Sequence, residues 1–252
     1  MKPIIEQLVD LSHGFGLEQR AWAVLGEGNT SARKSEDSFL VKASGSRLGN
    51  ASASDFTEVS LSKALRFLEN EDLSDEAVQS ALAEIQVNPG DKLPSVETFV
   101  HAVCLAEGAC DWVGHGHPIS VLSILCSQAG AKPYLQPIFP DAIVMCGRHV
   151  AVVPYIDPGF KLALAVRQSI RDFERQNGQP PKVILLENHG PFILGKSALD
   201  VENTMIMLDK WSKILVANQA FGGANPMSTI EADRIESRLD EAYRRKRLLE
   251  KS

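Results

Sequence analysis

Six histidines occur in this chain of 252 residues, and three of them have the type and spacing to hold a cation. His115 and His117 flank Gly116, and in an extended segment a spacing of two turns both imidazoles to one face. Gly116 has no side chain, so backbone or a ligand can approach closely there. His189 follows 72 positions after His117, in Glu187-Asn188-His189-Gly190, directly behind the apolar run Val183–Leu186. Three neutral imidazole nitrogens with one position left open are the donor set of a catalytic Zn²⁺. The same spacing also fits two hydrogen-bonded strand histidines and a turn residue, since the order of residues does not make the three converge. Glu97 and His101, four positions apart, read by themselves as a simple helix-face pair. Nucleophilic catalysis has no footing. There is no Gly-x-Ser-x-Gly elbow, and Cys104, Cys110, Cys126 and Cys146 lie in apolar segments without Cys-x-x-Cys spacing. They read as buried thiols of a reducing compartment.

The elements that must position these residues follow from periodicity and punctuation. An amphipathic helix carries Ile4, Ile5, Leu8, Val9 and Leu11 and stops near Gly14. A Gly26–Ser31 turn precedes a short strand at Phe39–Val41, and a second small-residue turn spans Ala43–Ser46. Residues 58–87 read as two helical pieces with Ser74 as an N-cap, broken at Pro89-Gly90. A helix runs from Pro94-Ser95 to Gly108, a strand covers Asp111–His117, and Pro118 opens another helix through Leu125. Strands at Val150–Tyr155, Val183–Leu186 and Pro191–Leu194 surround a helix over 160–176. Two helices, about 197–220 and 228–250, close the chain. Mixed short strands and helices with no linker and no repeat predict one α/β domain over 1–252.

Composition narrows the classes. The chain is 44% hydrophobic with a net charge of −6, which excludes global disorder. Acidic residues (32) outnumber basic ones (26), which argues against nucleic acid. The run Arg244-Arg245-Lys246-Arg247 reads as a solvated face near a helix C-terminus. No apolar stretch approaches 18 residues, so no membrane span is expected, and Glu6 and Asp10 rule out a signal peptide. A soluble cytoplasmic protein is the expectation.

Five short motifs occur in one order: Gly28-Asn29-Thr30-Ser31, Ala43-Ser44-Gly45, Pro94-Ser95-Val96-Glu97 with His101, His115-Gly116-His117, and Asn188-His189-Gly190. In that order and context, the chain resembles the class II aldolase/adducin family from about residue 5 to about 220. That family includes L-fuculose-phosphate and rhamnulose-phosphate aldolases and ribulose-phosphate 4-epimerases. The resemblance implies a three-layer α/β/α fold around a mainly antiparallel sheet. It implies Zn²⁺ (with Mn²⁺ or Co²⁺ as other divalent choices) on His115, His117 and His189, with Glu97 as the acid/base residue. It further assigns Gly28, Asn29, Ser44, Gly45 and Ser95 to a substrate phosphate. A homotetramer with the site at a subunit boundary is implied, and the Phe221–Ala224 segment is a candidate contact.

The chemistry implied is reversible aldol cleavage of a small ketose phosphate or related sugar acid through an enediolate that a metal stabilises. To act as an acid, Glu97 needs a pKa raised toward neutrality by burial. Epimerase, dehydratase and decarboxylase chemistries share the metal site, and a non-catalytic adducin-like module is the remaining alternative. Glutamate at position 97, where epimerases of the family typically carry Asp, tilts toward C–C cleavage or dehydration. Val96 stands where relatives often have a second hydroxyl, which removes one phosphate donor. The segment Gln136–Asp141 lacks the family's proton-donating tyrosine, with Tyr134 and Tyr155 to either side. The 46–96 stretch and Tyr155–Phe160 resemble rhamnulose-phosphate aldolase domains joined to a dehydrogenase, for which the remaining length leaves no room.

Overall fold

In a computed structural model, residues 2–69 and 73–249 are described. After α1 (Ile4–Phe15) come β1 (Asn29–Arg33), β2 (Ser38–Lys42) and β3 (Phe56–Ser60), then α2 (Leu61–Phe67), α3 (Asp75–Glu84) and α4 (Thr98–Glu107). The middle of the chain holds β4 (Trp112–His115), α5 (Ile119–Leu125), α6 (Pro140–Cys146), β5 (Ala151–Val153) and α7 (Phe160–Asn177). It closes with β6 (Val183–Leu186), β7 (Gly190–Gly195), α8 (Ala198–Ala217), α9 (Thr229–Glu236) and α10 (Leu239–Leu249).

The strands form one seven-stranded sheet in the order β3-β2-β1-β4-β7-β6-β5. Every neighbouring pair is antiparallel except β5 with β6. Both faces are covered, so inward side chains alternate between two cores. Phe39, Val41, Val59, Val113, Ile184 and Phe192 pack on one face against Phe99 and Val103 of α4 and Val166 and Ile170 of α7. Ala32, Trp112 and Ile193 point the other way, onto Leu8 and Phe15 of α1 and Met205, Leu208 and Trp211 of α8. In α8 the buried positions Val201, Met205, Leu208, Trp211 and Leu215 recur every three or four residues. Each such side chain removed from water contributes about 1.5–3 kcal/mol. The α/β/α layering and mainly antiparallel sheet therefore stand as expected.

Four local expectations differ. Residues 56–60 form an alternating strand on the sheet edge where a helix was read from 58, and helix follows only at Leu61. The polar string from Asn29 is central strand rather than turn, with Asn29 and Ser31 buried among polar partners. The helix carrying His101 begins at Thr98, so Ser95-Val96-Glu97 form the turn that leads into it. The last helix splits at Ser237-Arg238 into α9 and α10, and residue 250 of the expected helix lies outside the described residues. The sequence also gave no signal for α6, which Pro140 opens. Arg244 pairs with Asp141 of α6 at 3.0 Å and with Glu241 at 3.5 Å, while the side chains of Arg245 and Lys246 lie outside the described residues. Three cysteines are buried as expected, but Cys126 is exposed because it sits just past the end of α5. Among the described residues no helix is long and apolar enough to cross a membrane.

Candidate active site

The sheet register puts the site together. His115, the last residue of β4, pairs with Asn29 on β1 and with Phe192 on β7, so three strands present one row. The His115 Nδ1–H donates to the Pro191 carbonyl at 2.9 Å, and its ring stacks on Phe192 at 4.1 Å. A carbonyl only accepts, so this bond fixes the tautomer and leaves the Nε2 lone pair facing the site. His117 lies just beyond the strand, where its N–H donates to Trp22 O at 2.6 Å. That carbonyl is what the bare Gly116 admits: a Cβ there would stand 2.7 Å from it. His117 Nε2 is 3.1 Å from His115 Nε2.

His189 arrives from the tight β6–β7 turn. Asn188 has φ 57°, and Gly190 has φ 152° with space for a Cβ only 2.7 Å from Gly116 O. The three ring centroids stand 4.8, 4.9 and 5.2 Å apart, and one ligand atom from each histidine lies within 4.8 Å of the others. Glu97 completes the group, with Oε1 3.2 Å from His189 Nε2 and Oε2 3.5 Å from His115 Nε2. The expected convergence of three histidines and a carboxylate is thus present.

Electrostatics agree with a cation site. Burial pushes His115 down to about 3, against the opposing pull of Glu97. Burial and the nearby His189 also lower His117. Neutral imidazoles are the state that ligates metal. For Glu97 burial alone would raise the pKa; the His115 and His189 rings and the Asn29 amide outweigh it and hold the carboxyl below its ordinary value. This reverses the expectation of a carboxyl tuned toward neutrality: the group is carboxylate. Glu97 Oε1 and His189 Nδ1 are buried without a hydrogen-bond partner. An acceptor oxygen left bare beside converging nitrogens fits a cation among them. Nitrogen ligands of a tetrahedral Zn²⁺ stand roughly 3.3 Å apart, close to the 3.1 Å between the two Nε2 atoms.

The five residues expected at a phosphate lie around the same place with different roles in the free chain. Gly28, at φ 69°, lets β1 approach His115: a Cβ there would meet His115 O at 2.7 Å. The Asn29 amide donates to Glu97 Oε2 at 2.7 Å and to Ser95 Oγ at 3.4 Å. Ser95 Oγ also accepts the Glu97 N–H at 3.3 Å. Ser44 N–H donates to Leu93 O and Ser95 N–H to Lys42 O, which joins the exposed Ser44-Gly45 turn to the turn bearing Glu97.

Sequence reasoning passed over four residues here. Lys42, 3% exposed, donates to Ser46 O at 2.6 Å and ties that turn down; burial lowers its pKa against the opposing pull of Glu97 and Asp55. Glu27 holds Oε2 3.6 Å from His117 Nδ1. Phe192 is legible in the sequence only as an apolar strand residue, and Ser31 only as the end of the Gly28-Asn29-Thr30-Ser31 motif read as a turn. His101 does not pair with Glu97. Its Nε2 bonds Asn29 Oδ1 and its Nδ1 bonds Ser31 Oγ. Tyr134 is buried against Ser212 at 2.6 Å, and Tyr155 donates to Asp157 at 3.0 Å, so neither is hydrogen-bonded to the histidines.

Comparison with known proteins adds the family. The model for the Class II Aldolase and Adducin N-terminal domain matches residues 6–216. An uncharacterized oxidoreductase of Bacillus subtilis, YuxG, is 27% identical over 202 residues; the match covers 77% of this chain but only 27% of that protein, so the chain spans about a quarter of that relative. The 3-oxo-tetronate 4-phosphate decarboxylase of Escherichia coli is 27% identical, over 78% of this chain and 79% of the relative. In structure, the N-terminal class II aldolase domain of a Thermoplasma acidophilum protein superposes with a TM-score of 0.70 at 28% identity, covering 86% of this chain and 95% of that one.

Proposed function

From the premise that the chain belongs to the class II aldolase and adducin family of enzymes, we propose that it is a metal-dependent lyase. It cleaves a C–C bond next to a carbonyl in a small sugar phosphate or sugar acid. The observation that carries this reading is one carboxylate within 3.5 Å of two of three converging imidazoles. His115, His117 and His189 would hold the ion, Zn²⁺ by its preference for nitrogen donors, with Mn²⁺ or Co²⁺ as other choices. When bound, the ion supplies Lewis-acid polarisation of the substrate carbonyl.

The chain's own groups supply the rest. In aldol cleavage the electrons of the breaking bond stay on the carbon beside the carbonyl, and the departing carbinol loses its hydroxyl proton to become an aldehyde. Glu97 is the base for that proton: it is ionised, and Asn29 occupies Oε2, so Oε1 is the accepting atom. The same carboxyl then returns the proton to carbon. Gly28, Asn29, Ser44, Gly45 and Ser95 would form the rim for the anionic end of the substrate, with the hydroxyls of Ser44 and Ser95 and the exposed Ser44-Gly45 turn offering donors to a phosphate.

Decarboxylation is the second reading, favoured by the likeness to the Escherichia coli decarboxylase. It leaves electrons on the same kind of carbon while CO₂ departs in place of the aldehyde. It needs no proton handled at a departing aldehyde, which agrees with Tyr134 and Tyr155 being engaged elsewhere.

The test is the metal-loaded protein against a panel of phosphorylated and unphosphorylated ketoses and sugar acids. Release of dihydroxyacetone phosphate with an aldehyde establishes the aldolase, CO₂ the decarboxylase, and an isomerised product an epimerase. Protein purified without stoichiometric divalent metal, and indifferent to a chelator, would overturn the reading.

A further inference from the structure

His101 sits on α4 one turn beyond Glu97, fully buried, its ring edge-on to Phe192 at 5.4 Å. Its Nε2 faces an acceptor-only partner, which fixes the placement of the proton of the neutral ring. The carboxylate of Glu97 only accepts, so the Asn29 group facing Oε2 is the NH₂, and Asn29 Oδ1 points at His101. A carbonyl oxygen only accepts, so His101 Nε2 carries the proton. His101 Nδ1 is then bare and takes the hydroxyl proton of Ser31 at 2.7 Å. The order Ser31 to His101 to Asn29 to Glu97 is a buried chain of hydrogen bonds, each donor set by the next acceptor.

We infer that His101 is a positioning residue: as the neutral Nε2–H tautomer it fixes the Asn29 amide, which occupies Glu97 Oε2 and leaves Oε1 as the carboxylate's one free oxygen. This rests on the reading of Glu97 as the base. Without the Nε2 donor, Asn29 Oδ1 loses its buried partner, and only Glu97 and Ser95 Oγ still hold the NH₂. An amide that shifts to satisfy Oδ1 elsewhere would carry the carboxylate with it and displace the base from the substrate proton. The ion is held by other residues, so metal content is independent of His101. Ser31 acts one step further out, by giving the bare Nδ1 a hydroxyl donor that matches the Nε2–H tautomer.

Three variants and one spectrum test this on the metal-loaded protein. His101→Phe keeps the ring volume against Phe192 and removes both nitrogens. His101→Gln places an amide donor near the former Nε2. Ser31→Ala removes only the outer hydroxyl. Losing the support of a residue behind a metal site typically costs 10- to 100-fold in activity. His101→Phe is therefore expected to lose about that much kcat with KM within threefold and metal stoichiometry unchanged. Ser31→Ala loses several-fold, and His101→Gln recovers most of the rate. Equal losses in Phe and Gln, or full kcat in Phe, would overturn the inference.

Should His101→Phe fail to fold, ¹⁵N spectra of the histidine rings in the unaltered protein decide without any turnover. A protonated Nε2 and bare Nδ1 are expected for His101, and Nδ1–H or a charged ring overturns the assignment. An unaltered protein inactive on every substrate sinks the lyase reading instead, and the same spectra still settle the hydrogen-bond order.

Discussion

Glu97 is one negative charge, 6% exposed, held by an amide and flanked by the His115 and His189 rings. Such a charge persists where a cation or a proton in transit compensates it. Glu97→Gln keeps the size and the Asn29 contact but cannot take a proton, so kcat is expected to fall about 10²- to 10⁴-fold. Metal analysis should show the ion retained, because the three histidines are intact. His117→Ala removes one of three nitrogens, and metal and turnover should disappear together when content is measured after dialysis. His101 gives a stability prediction with a definite sign. Burial pushes it down to about 4 from 6.5, with Glu97 opposing. Between those values the unfolded chain binds the proton and the folded one does not, so stability is full at neutral pH and is lost as pH falls. From pH 7 to pH 5 this one ring removes about 2 kcal/mol. Urea titrations at both values should show the unaltered protein losing that much more than His101→Gln; an equal loss in both would refute it.

At the level of elements, the site depends on ends of strands held in register. Gly190 is the clearest case, with φ 152° and its missing Cβ 2.7 Å from Gly116 O and 2.9 Å from His117 Cδ2. Gly190→Ala is expected to cost about 1–3 kcal/mol, as overpacking does. It should also weaken metal binding, since it pushes the β6–β7 turn away from His117; unchanged melting with weakened binding would place the effect in the ligands alone. The same junction explains what could be read in advance. His-x-His on a strand and a third histidine behind a Val/Ile/Leu run are local patterns, and the motif order supplied their convergence. Apolar periodicity likewise delivered α7, β6 and β7 almost to the residue. Periodicity failed where a tertiary partner decides. Asn29-Thr30-Ser31 reads as turn because its residues are small and polar, but a central strand whose one face is an active site needs such residues. Phe56-Thr57-Glu58-Val59-Ser60 alternates as an edge strand should, yet adjoins a helix with no breaker between them. His101 looked like a partner for Glu97 at helical spacing. It is separated from it by an asparagine 72 positions away, a contact only the β1–β4–β7 row creates.

For the molecule as a whole, several exposed apolar side chains lie on the loops that carry the site residues. Leu25 (71%), Ile119 (63%), Val24 (47%) and Val96 (40%) all lie within three residues of Glu27, Glu97 or His117. Exposed apolar groups on loops that border a site fit a surface covered by a second copy or by the substrate. Leu25 also holds φ 59°, a strained conformation for a branched side chain in a free loop. A second copy seated there would bury these groups and exclude water from the half-buried His117 and the exposed Glu27. It would also strengthen the pull of Glu97 on a substrate proton, because charges act more strongly once water is excluded. Ile119→Glu and Leu25→Asp should therefore shift the protein from an assembly toward single chains in sedimentation velocity. Each should lower kcat/KM by at least about tenfold while the isolated chain still binds metal, since the three histidines come from one chain. Full activity in a protein that sediments as a single chain at micromolar concentration would remove the second copy from the site and leave the rim to the substrate.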